Sequence, residues 1–153
     1  EVAELGLANV FLATGSRWHR DGRGRTSPLP LDMGEVPVFT PDDVMGGTLP
    51  PADGPVLIYD DDQGYMGGVL AGHLAAAGRK VVLVTPGAVA SAFTELTLEQ
   101  HRVQAELLAA GVEIIPLHTL QSAGGSGAQL ACVYRSHSRR VDCASATPHS
   151  MRI

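Results

Sequence analysis

Short unbroken apolar runs alternate along the chain with longer stretches of helical period. Val56-Leu57-Ile58-Tyr59 follows the hinge-like stretch Pro50-Pro51-Ala52-Asp53-Gly54-Pro55 and stops at three aspartates. Val81-Val82-Leu83-Val84, after Lys80, is a second such run, and Val112-Glu113-Ile114-Ile115 is a third. Runs of this kind predict strands of a parallel sheet covered on both faces. Between the first two, Met66, Val69, Leu70, Leu74 and Ala77 recur at helical spacing, with Gly78 as the stop. Between the second and third, Thr97-Leu98-Glu99-Gln100 matches a capping box. Val103, Leu107 and Ala110 then line one face of a helix that ends at Gly111. The order β-α-β-α-β predicts an α/β fold with right-handed crossovers. After Pro116 the period changes. Leu117–Gln121, Gln129–Tyr134 and Arg139–Cys143 predict short antiparallel strands around Ser136-His137-Ser138.

The flanks are less regular. Asn9-Val10-Phe11-Leu12-Ala13-Thr14 predicts a buried strand that stops at Gly15. Residues 16–36 carry many Arg, Gly, Pro and Asp and no period, as in a functional loop or a crossing between domains. Thr40-Pro41-Asp42-Asp43 opens a short helix, with Thr as cap and Pro at the first helical position, and Gly46-Gly47 ends it. Ala144–Ser150 has no apolar period and reads as a loose tail.

Composition narrows the class. The chain has 153 residues, 44% apolar and 18% charged, which excludes a disordered chain and suits one domain or pieces of two. Net charge is −5 and Lys80 is the single lysine, so no basic face for nucleic acid is expected. No apolar run approaches the ~20 residues of a bilayer span. The start at Glu1 has no initiator Met and no signal segment. It reads as the interior of a longer, cytoplasmic protein. Cys132 and Cys143 form no metal-binding spacing. A turn at His137-Ser138 would set them opposite each other, close enough for a disulfide. Two reduced, packed thiols are the reading for a cytosolic chain. The six histidines (19, 73, 101, 118, 137, 149) share no ligand spacing, and His73 reads as a packed or half-exposed core residue.

The chemistry belongs at Asp60-Asp61-Asp62-Gln63-Gly64-Tyr65-Met66-Gly67, between the first strand and its helix, where a dinucleotide-binding turn sits. The GxGxxG fingerprint would place glycines at 62, 64 and 67. Gly64 and Gly67 are present and position 62 is Asp. A carboxylate ~4 Å from a phosphate costs about 1–4 kcal/mol between the dielectrics of water and a protein surface. A ribose-binding acid is expected about 20 residues on. Val84-Thr85-Pro86 offers none. The expectation is a dinucleotide fold with a lost or altered nucleotide site, its glycines serving close helix–strand packing. Three consecutive acids also suit a divalent cation. They are similar to the acidic pocket of response-regulator receiver domains, but the third strand lacks the phosphate-accepting Asp and no Lys follows Lys80. Trp18 reads as a lid over a ligand or as an inter-domain contact, and spacing leaves both open.

Four blocks carry a resemblance. They are Ala13-Thr14-Gly15-Ser16-Arg17-Trp18 with Arg20-Asp21-Gly22, then Thr40–Met45, then Tyr59–Asp62 with Tyr65–Ala71, then Thr97–Arg102. In this order, from about residue 8 to 143, they resemble trimethylamine and dimethylamine dehydrogenases. The resemblance implies a multidomain oxidoreductase with an FMN-binding (β/α)8 barrel, a [4Fe-4S] cluster, and two domains like the FAD and NAD(P)H domains of glutathione reductase, the former holding ADP. It implies residues 1–18 as the end of the FAD/ADP-like domain and 19–54 as a crossing segment. Residues 55–143 become a truncated, three-layer Rossmann-like NAD(P)-binding domain with an antiparallel meander. Residues 144–153 are left as a loose tail that departs from the family's apolar strand. Cofactor-proximal positions would be Ala13, Thr14, Gly15, Ser16, Trp18, Asp62, Gly64, Tyr65, Met66 and Gly67. No catalytic or metal residue and no bound cofactor is expected in the chain itself. The implied partners are the rest of the parent, an electron-transfer flavoprotein, and a second copy of the parent in a homodimer. Two alternatives stand beside this scaffold reading. One is a working NAD(P)H module of a reductase like the dienoyl-CoA reductases. The other is an electron-acceptor docking domain with Tyr59, Tyr65 and Trp18 as contacts.

Overall fold

The computed structural model describes residues 4, 6, 8–11, 15, 17–149 and 151–152. In chain order these give β1 (Arg17–Trp18), α1 (Pro41–Met45), β2 (Val56–Asp60), α2 (Tyr65–Ala76) and β3 (Val81–Val84). A 3-10 segment (Ala92–Thr97), α3 (Gln100–Ala109) and β4 (Glu113–Ile115) follow. Then come β5 (His118–Gly124), β6 (Gly127–Cys132), β7 (Ser138–Asp142), β8 (Ser145–His149) and β9 (Met151–Arg152).

The three predicted apolar strands form a parallel sheet, in the order β4-β3-β2-β8. Alternation along them divides the core in two. Val56, Ile58, Val81 and Leu83 meet Leu70 and Leu74 of α2 and Leu107 of α3. Leu57, Tyr59, Val82 and Val84 meet Leu120, Ala128 and Leu130 of the antiparallel sheet β5-β6-β7. The result is three layers: helices, parallel sheet, meander. This is the α/β, Rossmann-like architecture expected.

β8 overturns the loose tail. Ser145–His149 pairs along β2, from Val56↔Ser145 to Asp60↔His149, and Ser145, Ala146 and Thr147 are buried. Its outer edge is closed by the 19–54 segment, where Ala146 N–H donates to Pro37 O and Phe39 N–H donates to Ala146 O. The strand escaped the apolar-period rule because its side chains are small and half polar. A strand of small, half-polar side chains therefore stands where the tail was expected.

Other expectations shift. α1 carries the predicted cap, with Thr40 Oγ1 accepting from Asp43 N–H and the Asp43 carboxylate accepting from Thr40 N–H. The capping box at Thr97 does not form. Its hydroxyl donates to Thr94 O at 2.9 Å, and α3 starts at Gln100 without a side-chain cap. The β6–β7 register pairs Ala131 with Ser138 and Gly127 with Asp142. That moves the turn back to Val133–His137 and sets Cys132 and Cys143 at opposite ends of the hairpin, both free. His73 is exposed on α2, not packed in the core. Of the first predicted strand, residues 9–11 are not in a strand and Phe11 is 94% exposed, while Leu12, Ala13 and Thr14 lie outside the described residues.

Candidate functional site

Strand order changes direction at β2, which has β3 on one side and β8 on the other. In open α/β sheets ligands bind at the carboxyl ends of strands beside such a switch point. Here that end is the β2–α2 turn. Asp60 and Asp61 continue the alternation of β2. Asp60 points to the helix side with Ile58, and Asp61 points to the other side with Tyr59.

Asp60 is fully buried beneath the start of α2. Oδ1 accepts from Gln63 N–H at 3.0 Å and Oδ2 accepts from Ser91 N–H at 3.3 Å. Its own carbonyl accepts the Thr85 hydroxyl at 3.1 Å. A Cβ on Gly67 would sit 2.5 Å from Asp60 Cγ, so glycine is what lets α2 come this close. Burial pushes the Asp60 carboxyl up to about 7; the two backbone bonds pull down, and Asp62 and Asp61 push further up.

Asp61, also fully buried, accepts from Thr26 N–H at 3.0 Å and from the hydroxyls of Thr26 and Tyr59. This fixes the crossing segment over the carboxyl end of the sheet. Tyr59 is 1% exposed, and burial followed by the Asp61 charge holds its phenol far above the ordinary value. It is therefore no surface contact, contrary to the docking expectation. Gln63 takes a left-handed conformation, φ +59°. Its carbonyl accepts from Phe93 N–H at 2.9 Å, and its side-chain oxygen would lie 2.7 Å from a Cβ on Gly87. The chain's own groups thus bridge the gap between the β2 and β3 ends.

The sequence-selected residues fall in two places. Asp62, Gly64, Tyr65, Met66 and Gly67 share this turn. Asp62 and Gly64 are half-buried, and a Cβ on Gly64 would sit 2.8 Å from Asp62 Oδ2. Met66 packs on the helix-side core. Tyr65 is 46% exposed and its hydroxyl meets Thr97 and the Glu99 carboxylate. Gly15, exposed at φ +81°, and half-buried Trp18 lie before the crossing segment; Trp18 pairs with Met151 in a separate two-stranded ribbon. Ala13, Thr14 and Ser16 lie outside the described residues. Sequence reasoning missed Thr26 and Ser91, and gave Gln63 no role within the stretch it selected. It also took the three acids as one group. The period-2 rule for strands already separates Asp60 from Asp61. Among the described residues no three His, Cys, Asp or Glu side chains gather as metal ligands, so the cation reading finds no support there.

The same layers recur in solved structures. The HOCl-induced flavoprotein disulfide reductase of Escherichia coli matches with a TM-score of 0.59 at 15% identity, over 88% of this chain and 28% of that one. That likeness shows the fold alone, a Rossmann-like α/β domain. Histamine dehydrogenase from Rhizobium sp. 4-9 matches at 36% identity with a TM-score of 0.86, over 91% of this chain and 22% of that one. The 6-hydroxypseudooxynicotine amine oxidase of Pseudomonas geniculata N1 matches at 33% with a TM-score of 0.83, over 95% and 22%. Both are trimethylamine dehydrogenase-family enzymes, and the chain belongs to that family, as its FAD/NAD(P)-like region. It spans about a fifth of the length of either. No protein-family model matches it. Among the described residues no helix is long and apolar enough to cross a membrane.

Proposed function

We propose that the chain is a nucleotide-binding-like scaffold domain of a flavin- and iron–sulfur-dependent amine dehydrogenase, with no catalytic residue of its own. The parent is an oxidoreductase carrying FMN, a [4Fe-4S] cluster and ADP. It acts as a cytoplasmic homodimer that passes electrons to an electron-transfer flavoprotein. The chain's partners are its barrel and FAD-like domain.

One observation carries the scaffold reading. The turn that would receive a pyrophosphate is filled from within: Asp60 takes the Gln63 and Ser91 N–H groups, and Thr85, where a ribose-binding acid would stand, is buried against the Asp60 carbonyl. Asp62 adds a carboxylate where the fingerprint has its first glycine. A helix N-terminus attracts phosphate by free N–H groups and its dipole. Carboxylates beside it cancel that attraction.

The reading of a working NAD(P)H module rests on another feature. α2 starts at Gly64 without a side-chain cap. Thermal-shift titration with ADP, NADH, NADPH and FAD separates the two. A ligand at ~100 times its Kd stabilises by about 2.7 kcal/mol, several degrees in Tm. The expected result is no shift with NADH or NADPH. A clear NADH shift, abolished by Gly64→Val, would make this a reductase's cofactor domain instead.

A further inference from the structure

The 3-10 segment after β3 is bracketed by two left-handed residues that are not glycine, Ser91 at φ +51° and Leu98 at φ +61°. Non-glycine residues hold that conformation only where their surroundings impose it. Between and at these brackets the segment turns apolar side chains to solvent: Leu96 is 86% exposed and Leu98 is 92% exposed. A cavity of about 400 Å³, lined by Val89, Glu95, Leu98, Gln100 and His101, lies behind the second bracket. Ser91 and Thr94 anchor the segment inward, both buried, and four contacts tie it to the turn after β2, the start of α2 and Arg25. Phe93 N–H donates to Gln63 O, Ser91 N–H donates to Asp60 Oδ2, the Tyr65 hydroxyl meets Thr97, and the Arg25 guanidinium lies 4.8 Å from the Phe93 ring centre.

We propose that residues 91–98 form a flap over the carboxyl ends of β2 and β3, hinged at Ser91 and Leu98 and latched by the buried carboxyl group of Asp60. Opening the flap lets water reach Asp60. Water favours the ionised carboxylate, and burial favours the neutral acid. The closed flap therefore holds the proton that the open flap gives up. Burial sets the closed-form Asp60 at about 7, and an open flap would lower it towards the ordinary carboxylate range by the share of that burial which the flap supplies. The closed form binds more protons below that value, so opening grows as pH rises towards 7 and levels off above. Other titratable groups adjoin Asp60. Asp61 and Asp62 follow it in the chain and push it further up. Gly67 on α2, Thr85 after β3 and Ser91 on the flap are uncharged. Glu95, on the flap, and His101, on α3, face the cavity behind it, and Arg25 stacks on Phe93.

Backbone hydrogen exchange on the full chain between pH 5 and 8 tests this. Base-catalysed exchange by itself rises about tenfold per pH unit, and one linked proton adds about tenfold more. The Ser91 and Phe93 amides should exchange at least a hundredfold faster than Leu83 in β3. They should climb by clearly more than tenfold, and by up to about a hundredfold, per unit below pH 7 and by about tenfold per unit beyond. In Asp60→Asn the climb should be tenfold throughout. Flap amides that climb only tenfold in the unaltered chain, or that exchange no faster than Leu83, overturn the proposal. So does a steep climb that survives in Asp60→Asn, which would place the linked proton on another group. The comparison of flap and core amides in the unaltered chain decides the matter even if the variant does not fold.

Discussion

Asp60 ties stability to pH in one direction and Asp43 in the other. The Asp60 carboxyl is raised in the folded chain to about 7, so the fold binds a proton that the unfolded chain releases. That contribution is whole below pH 4 and is lost as pH rises through 7. Asp43 is held at about 2, first by its bond from Arg20 and then by Thr40 N–H. Its contribution is present above pH 4 and is lost as pH falls towards 2. Stability should therefore peak in mildly acid solution. Asp60→Asn should remove the loss between pH 4 and 7 and raise stability at pH 8 by about 1–4 kcal/mol. Urea unfolding at pH 5 and 8 checks this; equal stabilities for the unaltered chain at both would contradict it. Two hydroxyls on β8 make a second case. Ser145 Oγ and Thr147 Oγ1 are buried without a hydrogen-bond partner. Ser145→Ala and Thr147→Val should each stabilise by about 1 kcal/mol, read as a rise in Tm.

Among the elements, α2 depends most on a single contact. Gly67→Ala puts a methyl 2.5 Å from Asp60 Cγ and should cost about 2–4 kcal/mol. Asp60→Gly in the same chain should recover much of that, and additive losses in a double-mutant cycle would show the contact to be immaterial. α2, β2, β3 and β4 were legible because their apolar residues follow the periods of helix and strand. β8 was not, since Ser145, Ala146 and Thr147 are buried by fit between two layers and by closure of both edges. The α3 start was misread because Thr97 spends its hydroxyl on Thr94 O. The cysteine pairing was misread because loop length, not side-chain pattern, sets a hairpin's centre. Of the candidate site, the acids and glycines of the turn were readable. Thr26 and Ser91 were not, because the fold brings them there from 35 and 31 positions away.

Across the molecule, residues 19–54 do more than connect. Thr26 meets Asp61 at the carboxyl end of the sheet, Pro37 and Phe39 close the β8 edge, and Arg20 pairs with Asp43 of α1. Ala146→Pro would delete the N–H given to Pro37 while leaving β8 in place against β2. A loss of about 1–3 kcal/mol is expected, with faster proteolysis between residues 20 and 40. Unchanged proteolysis would mean that the segment is held by its other contacts alone.

The Gln63 conformation bears on how such a turn could change over generations. Exchanging Asp62 for glycine restores one letter of the fingerprint and little else. The Asp60 carboxylate would still hold the Gln63 and Ser91 amides, Gln63 would still lean on Gly87, and Thr85 would still face inward. If the turn is the filled scaffold proposed above, no one-letter step from here reaches a nucleotide-binding turn, and each intermediate would leave a buried polar group without its partner. On the scaffold reading proposed above, a lineage that acquires this interlocked turn has in effect passed a ratchet: cofactor recognition is lost by accumulation and is not regained by simple reversion.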